Sequence, residues 1–214
     1  MAPHSNIPHE AYEADTLDGR SYALARVLSQ IFHPILLNIF AFLIVGYAAL
    51  STPAQGLKWA GICILVLVLP PTIFYTLRLR QGVYADEDVS VREQRNELYL
   101  FGLIWALIAT ALLAYFGTPS PFLALLICAL LFALINGGIN LFWKISGHAT
   151  AIAATATIAL LYSQPLGAVL WACAALVGWA RIRTRNHTPM QVLAGFCSAA
   201  GVILVVFQFF GARG

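Results

Sequence analysis

The feature that most constrains this chain is the spacing of its charged residues. It has 12 basic and 9 acidic side chains in 214 residues. The uncharged runs between them are 27–57, 59–77, 98–143, 145–180 and 186–212. A transmembrane helix needs roughly 20 apolar residues, and each run reaches or nearly reaches that length. This pattern excludes a water-soluble enzyme, a disordered tail and a fibrous repeat, and it predicts a polytopic membrane protein.

Two of the runs are too long for one crossing, and both contain turn signals. Gly117-Thr-Pro-Ser-Pro121 divides the third run and Ser163-Gln-Pro165 divides the fourth, because clusters of Pro and Gly mark turns. No alternation of apolar and polar residues suggests strands. We therefore predict an all-α, polytopic transmembrane helix bundle of six to seven spans. The seven candidate helices are 31–50, 59–77, 98–116, 122–142, 148–163, 166–180 and 190–210.

The short pair 148–163 and 166–180 leaves a six-span arrangement open. Residues 1–30 are predicted to be a polar, cytoplasmic N-terminal segment, and residues 31–214 a transmembrane bundle. The first 20 residues carry four acids before the first arginine, Arg20, which is the wrong charge for a signal peptide.

The basic residues predict the orientation of the bundle. With seven crossings, ten of them share one face and two lie on the other, so the positive-inside rule places the first face in the cytoplasm. We expect a multi-pass protein of the cell (inner) membrane. The ten are Arg20, Arg26, Arg78, Arg80, Arg92, Arg95, Lys144, Arg181, Arg183 and Arg185, and the two are Lys58 and Arg213.

Three polar loops fall on the predicted cytoplasmic face, and a helix follows each one. They are Asp86–Arg95, Lys144–His148 and Arg181–Gln191. Helix N-termini present free N–H groups and a partial positive charge, which suits an anion. The arginines of these loops, Arg92, Arg95 and Arg181, extend the prediction to a phosphate pocket.

Capping signals mark where these helices begin. Ser90 with Glu93, and Thr188 with Gln191, have the spacing of a capping box, and Ser146 is a candidate N-cap.

Two histidines beside these helix starts supply candidate chemistry. His148 and His187 are expected at the same depth, where they can flank one phosphorus atom. An imidazole can attack phosphorus as a nucleophile, and a second one can protonate the departing oxygen. Arginines can stabilise the phosphoryl charge, so we expect no metal and no cofactor. His33-Pro34 is interpreted as a kink that is not part of the site.

Ser146-Gly-His148 and Arg181-x(5)-His187 resemble the type 2 phosphatidic acid phosphatase superfamily. The superfamily signature is K-x(6)-R-P, then P-S-G-H, then S-R-x(5)-H-x(3)-D. The resemblance covers residues from about 86 to 195. His187-Thr-Pro-Met-Gln191 is also similar to the H-T-x-x-Q sequence of dolichyl-diphosphatase-like members.

The resemblance implies catalytic roles. His187 would be the nucleophile that forms a phosphohistidine, and His148 would be the general acid. Gln191 stands where the family has an aspartate, and its amide oxygen would set the imidazole tautomer.

The resemblance also implies phosphate ligands. Arg181 would bind the phosphate, and Ser146 with the Gly147 amide would add hydrogen bonds. Arg95 matches the arginine of the first motif. Arg92, expected one helical turn before it, is a candidate for the positive charge that the first motif lacks here.

Several positions depart from the family pattern. The most consequential is an acid where the family has lysine, and it is interpreted as orienting one of the arginines. The departures are Asp88, Asn96, Ile145, Ala180 and Gln191.

The predicted activity is dephosphorylation of a lipid by a membrane phosphatase. A polyprenyl diphosphate is the first expected substrate, and phosphatidate or phosphatidylglycerophosphate the next. Lipid phosphates and membrane lipids are the expected partners, nucleic acid is not, and the oligomeric state stays open. Two alternatives remain: a lipid phosphotransferase, and a non-catalytic lipid binder or transporter with a degenerate site. An isoprenyl transferase is disfavoured because no acid follows Glu97.

Overall fold

The computed structural model describes residues 19–210, which form nine α-helices and one π-helical turn. Within that range there is no strand, so the all-α prediction is confirmed. Residues 1–18 of the predicted N-terminal segment, and 211–214, lie outside the described residues. The elements are α1 (Gly19–Ile31), α2 (Pro34–Ala48), α3 (Pro53–Cys63), the π turn (Ile64–Val68), α4 (Leu69–Arg80), α5 (Arg95–Tyr115), α6 (Ser120–Phe142), α7 (Gly147–Tyr162), α8 (Gln164–Arg183) and α9 (Pro189–Phe210).

All seven predicted helices are present. Run 31–50 forms α2, run 59–77 lies within the continuous rod from α3 to α4, and the others form α5 to α9. The turn signals act as expected, since α5 ends before Gly117 and only Ser163 separates α7 from α8. The exception is α1, which forms a helix in a region that was expected to be a tail.

The helices are those of a multi-pass membrane protein. Among residues 19–210, the α3–α4 rod, α5, α6, α8 and α9 are each long and apolar enough to cross a membrane. The pair α1 and α2 passes the same test together but is bent by 44°. Helix α7 is apolar but has only 16 residues.

Helix α7 is the centre of the bundle. Residues 148–159 are all buried, and α2, α8 and α9 pack against them. The sequence of α7 is rich in Ala and Thr, whose small side chains let neighbouring helices approach closely. Its hydroxyls bond within the helix, as when Thr157 Oγ1 donates to the Ala153 carbonyl at 2.7 Å. Because protein surrounds α7, it does not need the length of a lipid-facing span.

The π turn is explained by the prolines that follow it. Pro70 has no N–H to donate to the Val66 carbonyl, four residues earlier. The indole N–H of Trp105 donates to that carbonyl instead, at 2.7 Å, which satisfies a backbone group that lipid cannot. The widened turn places Leu67 and Val68 on the wall of an internal cavity.

Candidate active site

The three polar loops meet on one face of the bundle. Arg95 Nη1 donates to the Ile145 carbonyl at 3.1 Å, which joins the first loop to the second. The Ser146 N–H donates to the Gln191 carbonyl at 3.4 Å, which joins the second to the third. The start of α2 reaches the same place, since the ring centroids of His33 and His148 are 5.7 Å apart.

These loops close the polar end of a cavity of about 400 Å³. Both predicted catalytic histidines, His148 and His187, line it together with Gly147, Asp88 and Arg95. The rest of its wall is mostly apolar and comes from α2, the π turn, α4, α5, α6, α7 and α9. Residues of this apolar part include Phe42, Leu67, Leu125, Cys128, Ile158 and Ile203.

The ring of His187 is held by the capping box that begins α9. The Thr188 N–H donates to Gln191 Oε1 at 3.2 Å, and the Gln191 N–H donates to Thr188 Oγ1 at 3.3 Å. Gln191 Oε1 also lies 3.1 Å from His187 Nδ1. Gln191 Oε1 is an amide oxygen, which the Thr188 N–H holds in place, and it can only accept a hydrogen bond from the ring. His187 Nδ1 therefore carries the proton, and Nε2 has a free lone pair.

The surroundings keep His187 neutral. Burial, together with the charges of Arg95, Arg181 and Lys144, lowers the pKa of His187 from its ordinary 6.5 to about 2. The neutral imidazole is the nucleophilic form.

His148 lies in the first turn of α7, and Ser146 is the N-cap as predicted. Ser146 Oγ accepts from the Ala149 N–H at 3.3 Å, and the serine side chain is fully buried. His148 Nε2 lies 3.9 Å from Asp88 Oδ1. The close approach of α9 at this point depends on Gly195, where a Cβ atom would stand 3.0 Å from the Ser146 carbonyl oxygen.

Arg181 is almost fully buried, and Asp88 is its counterion. Arg181 Nη1 donates to both Asp88 carboxylate oxygens, at 3.2 and 3.1 Å. Asn186 Nδ2 donates to Asp88 Oδ2 at 2.8 Å, and Arg181 Nε has no hydrogen-bond partner within the described residues. The acid that departs from the family pattern therefore neutralises the charge of Arg181, the predicted phosphate ligand.

Arg95 is buried and holds the loops together. Its Nε donates to the Val89 carbonyl at 2.6 Å, and its Nη2 to the Asp88 carbonyl at 3.2 Å. Its side chain also lines the cavity.

Arg92 is placed differently from the prediction. Its Nη1 donates to the Asn140 and Leu141 carbonyls, at 3.2 and 2.5 Å, and so caps the end of α6 outside the cavity. The predicted capping box of Ser90 and Glu93 is wrong, because α5 begins only at Arg95. The Ser90 N–H and hydroxyl instead bond to Asp86. Arg92 is therefore in a loop and not one helical turn before Arg95.

A family model described as the PAP2 superfamily matches residues 98–214, just over half of the chain. The chain belongs to the PAP2 superfamily. No curated protein and no solved structure matches it.

Membership of the PAP2 superfamily confirms the resemblance inferred from the loops. PAP2 proteins are generally phosphatases, and the apolar helices fit a membrane phosphatase. The matched range contains the second and third polar loops but not the first, residues 86–95. The departures from the family pattern at Asp88 and around Arg95 therefore fall outside or at the edge of the match.

Two residues near the polar end of the cavity have no role assigned from the sequence of this PAP2 protein: His33, which lines the cavity, and Lys144, which does not. His33 was interpreted as a kink, and α1 and α2 do bend there, but its side chain also lines the cavity. Burial and then the charges of Arg95 and Arg181 lower the pKa of Lys144 to about 8, which places an additional basic group beside the site. The sequence offers one sign of this, because Lys144 lies only four residues before His148, in the same polar loop.

Within residues 19–210, no group of three or more His, Cys, Asp or Glu side chains is arranged to hold a metal ion.

Proposed function

We propose that the protein is an integral-membrane phosphatase that removes a phosphate from a lipid through a phosphohistidine on His187. The proposal rests on the contact between His187 Nδ1 and Gln191 Oε1, an oxygen that also accepts from the Thr188 N–H. That contact leaves Nε2 as an unprotonated, buried nucleophile at the polar end of a cavity with mostly apolar walls.

The reaction proceeds in two displacements. His187 Nε2 attacks phosphorus, and the bond from phosphorus to the lipid oxygen breaks. The imidazolium form of His148, which the charges of the bound phosphate and of Asp88 favour, gives a proton to that oxygen. A water molecule then attacks phosphorus, the bond from phosphorus to His187 Nε2 breaks, and the now neutral His148 takes a proton from that water. The products are inorganic phosphate and a lipid alcohol, or a lipid monophosphate when the substrate is a diphosphate.

The proposed phosphate ligands are Arg181, Arg95 and the Gly147 N–H. Ser146 is the N-cap that fixes the start of α7. Lys144 adds positive charge in place of the missing lysine of the first motif. Arg92 is left out because it caps α6.

The proposed substrate is a polyprenyl diphosphate first, and phosphatidate or phosphatidylglycerophosphate next. The similarity of His187-Thr-Pro-Met-Gln191 to dolichyl-diphosphatase-like sequences supports the first choice. The apolar wall of the cavity suits a hydrocarbon chain of either kind.

We place the site on the cytoplasmic face of the cell (inner) membrane. The support is the ten-to-two distribution of basic residues and the positive-inside rule.

The deciding experiment measures phosphate release from a panel of lipid phosphates by the purified protein. We expect His187→Ala to lower the rate by at least about a thousandfold, because it removes the nucleophile. Arg80→Ala, at the exposed end of α4, serves as the control and should keep the parent rate. An acid-labile, base-stable phosphoprotein should form with the parent and not with His187→Ala. Equal phosphate release by parent and His187→Ala would contradict the mechanism.

One observation favours a second candidate, a non-catalytic lipid-phosphate binder: the Asp88 carboxylate already pairs with Arg181. Such a protein would bind the lipid panel without releasing phosphate. Adding an alcohol acceptor to the same assay identifies a phosphotransferase by its phosphorylated product.

A further inference from the structure

His33 lies at the bend between α1 and α2 and is the third histidine of the cavity. Its ring centroid is 5.7 Å from that of His148, in an edge-to-face arrangement, and 6.5 Å from that of Tyr75. The ring is partly exposed, and it lines the same cavity as His148 and His187.

The backbone sets the tautomer of His33. The ring is the N-cap of α2, where Nδ1 accepts from the Ile35 N–H at 3.3 Å. A neutral imidazole that accepts at Nδ1 carries its proton on Nε2. His33 therefore has a hydrogen-bond donor at Nε2 that the helix cap does not use.

We propose that His33 donates this Nε2–H to an oxygen on the leaving-group side of the lipid phosphate. The inference rests on the proposed function, in which His148 protonates the leaving oxygen. Within residues 19–210, the aromatic contacts of His33 are with His148 and Tyr75. The donor is thus beside the general acid. In a diphosphate substrate, the bound oxygen belongs to the phosphate that stays on the lipid.

Two substitutions separate the two nitrogens of His33. His33→Asn keeps an oxygen near the position of Nδ1, and Asn is a good N-cap, but its short amide does not reach the position of Nε2. His33→Gln places an amide N–H near the position of Nε2 but gives up the cap. The pair therefore distinguishes substrate binding from helix capping.

The test measures equilibrium binding of a lipid phosphate in a His187→Ala background, which prevents turnover. We expect His33→Asn to weaken binding about tenfold, the effect of one lost hydrogen bond, with an unchanged melting temperature. His33→Gln should bind the lipid phosphate with an affinity within about threefold of that of the His187→Ala protein. It should melt at a lower temperature because the cap of α2 is lost. In proteins with an intact His187, kcat/KM should follow the same order.

If His33→Asn binds the lipid phosphate as tightly as its background, the inference is wrong. It is also wrong if both variants lose affinity equally and their melting temperatures fall equally. Neither result touches the proposed function, which depends on phosphate release by the parent and its loss in His187→Ala. If the parent releases no phosphate and no lipid phosphate binds, both proposals fail.

Discussion

At the scale of single residues, Asp88 shows how a departure from a family pattern can be compensated. A buried cation without a partner is costly, and breaking a buried ion pair costs about 3–5 kcal/mol. Arg181 is only 1% exposed, and Asp88 lies 3.1 Å from it. The pair stabilises the buried charge of Arg181, the proposed phosphate ligand.

Asp88→Asn should destabilise the ligand-free protein and strengthen its response to anions. We expect the free energy of unfolding to fall by about 3 kcal/mol, because Arg181 loses its counterion. Inorganic phosphate or vanadate, which can replace the carboxylate, should then raise the melting temperature more than it does in the parent. Glu93→Gln breaks an exposed pair with Arg92 and should change neither quantity. Equal anion responses in parent and Asp88→Asn would contradict this account.

His187 predicts a pH dependence of stability. Its pKa is about 2 in the folded protein and 6.5 ordinarily, so between these values the unfolded chain binds a proton that the folded chain does not. Stability should therefore fall as the pH drops below 6.5, by about 1.4 kcal/mol per unit from this group.

The measurement is the melting temperature in detergent between about pH 7 and pH 5. His187→Gln, which cannot titrate, should show a shallower decline than the parent. Parallel declines would mean that His187 is not the group responsible.

The sequence predicted residues whose partners are close along the chain. Ser146 capping α7, and Gln191 contacting His187, follow from spacings of three and four residues. The Asp88–Arg181 pair spans 93 positions, and no local pattern encodes it. His33 was missed for the same reason, since only the packing of α2 on α7 brings its ring to His148.

At the scale of helices, the contact of α9 with the start of α7 sets the position of the second polar loop relative to the third. A Cβ at Gly195 would stand 3.0 Å from the Ser146 carbonyl oxygen and 3.1 Å from the Ala149 Cβ. Such distances require the neighbouring atoms to move by a few tenths of an ångström. Since His187 and Gln191 are at the start of α9, that movement displaces them relative to His148.

We therefore expect Gly195→Ala to lower kcat for phosphate release by roughly tenfold, because small misplacements of catalytic groups are costly. Gly201→Ala is the matched control on the same helix, since its Cβ would meet no atom within 4 Å, and it should keep the parent rate. The measurement is kcat for both variants alongside their melting temperatures. Parent-like kcat in Gly195→Ala would show that the α7–α9 spacing is not critical.

The predicted bounds of α2 and of α5 to α9 agree with the structure to within three residues, but α3 begins at Pro53 and not at residue 59. The predicted range 98–116 starts three residues after the observed beginning of α5 at Arg95. The predicted capping box at Ser90 and Glu93 lies before that beginning, and Ser90 instead bonds to Asp86 in the loop. Helix α1 was not expected, since its sequence is polar enough for a tail. It is held in place by tertiary contacts, including donation from Arg183 Nε to Ser21 Oγ at 2.9 Å.

At the scale of the whole molecule, the alternation of helices brings every site loop to one face. Within residues 19–210, five helices are long and apolar enough to cross a membrane, or six with the bent pair α1–α2, so the count of seven crossings stays a prediction. The hydrophobic runs were sufficient to predict the helices, because in lipid the backbone groups of each span must hydrogen-bond within that span.

Cysteine labelling should reveal the orientation. Ala85→Cys lies in the loop before α5 and Ser51→Cys in the loop between α2 and α3, and both positions are exposed. In a protein whose Cys173 and Cys197 are replaced by Ser, a membrane-impermeant maleimide should label Ala85→Cys only in inside-out vesicles. Ser51→Cys should react only in right-side-out vesicles. The reverse pattern would place the site on the outer face.

The pairing of Asp88 with Arg181 also bears on how a catalytic cycle ends. On the proposed mechanism, inorganic phosphate that leaves Arg181 would be replaced by the Asp88 carboxylate, which is tethered to the protein and competes at a high effective concentration. Bound inorganic phosphate would therefore have only a small free-energy advantage over the Asp88 carboxylate. Such an enzyme should be weakly inhibited by phosphate and should keep working where phosphate is abundant.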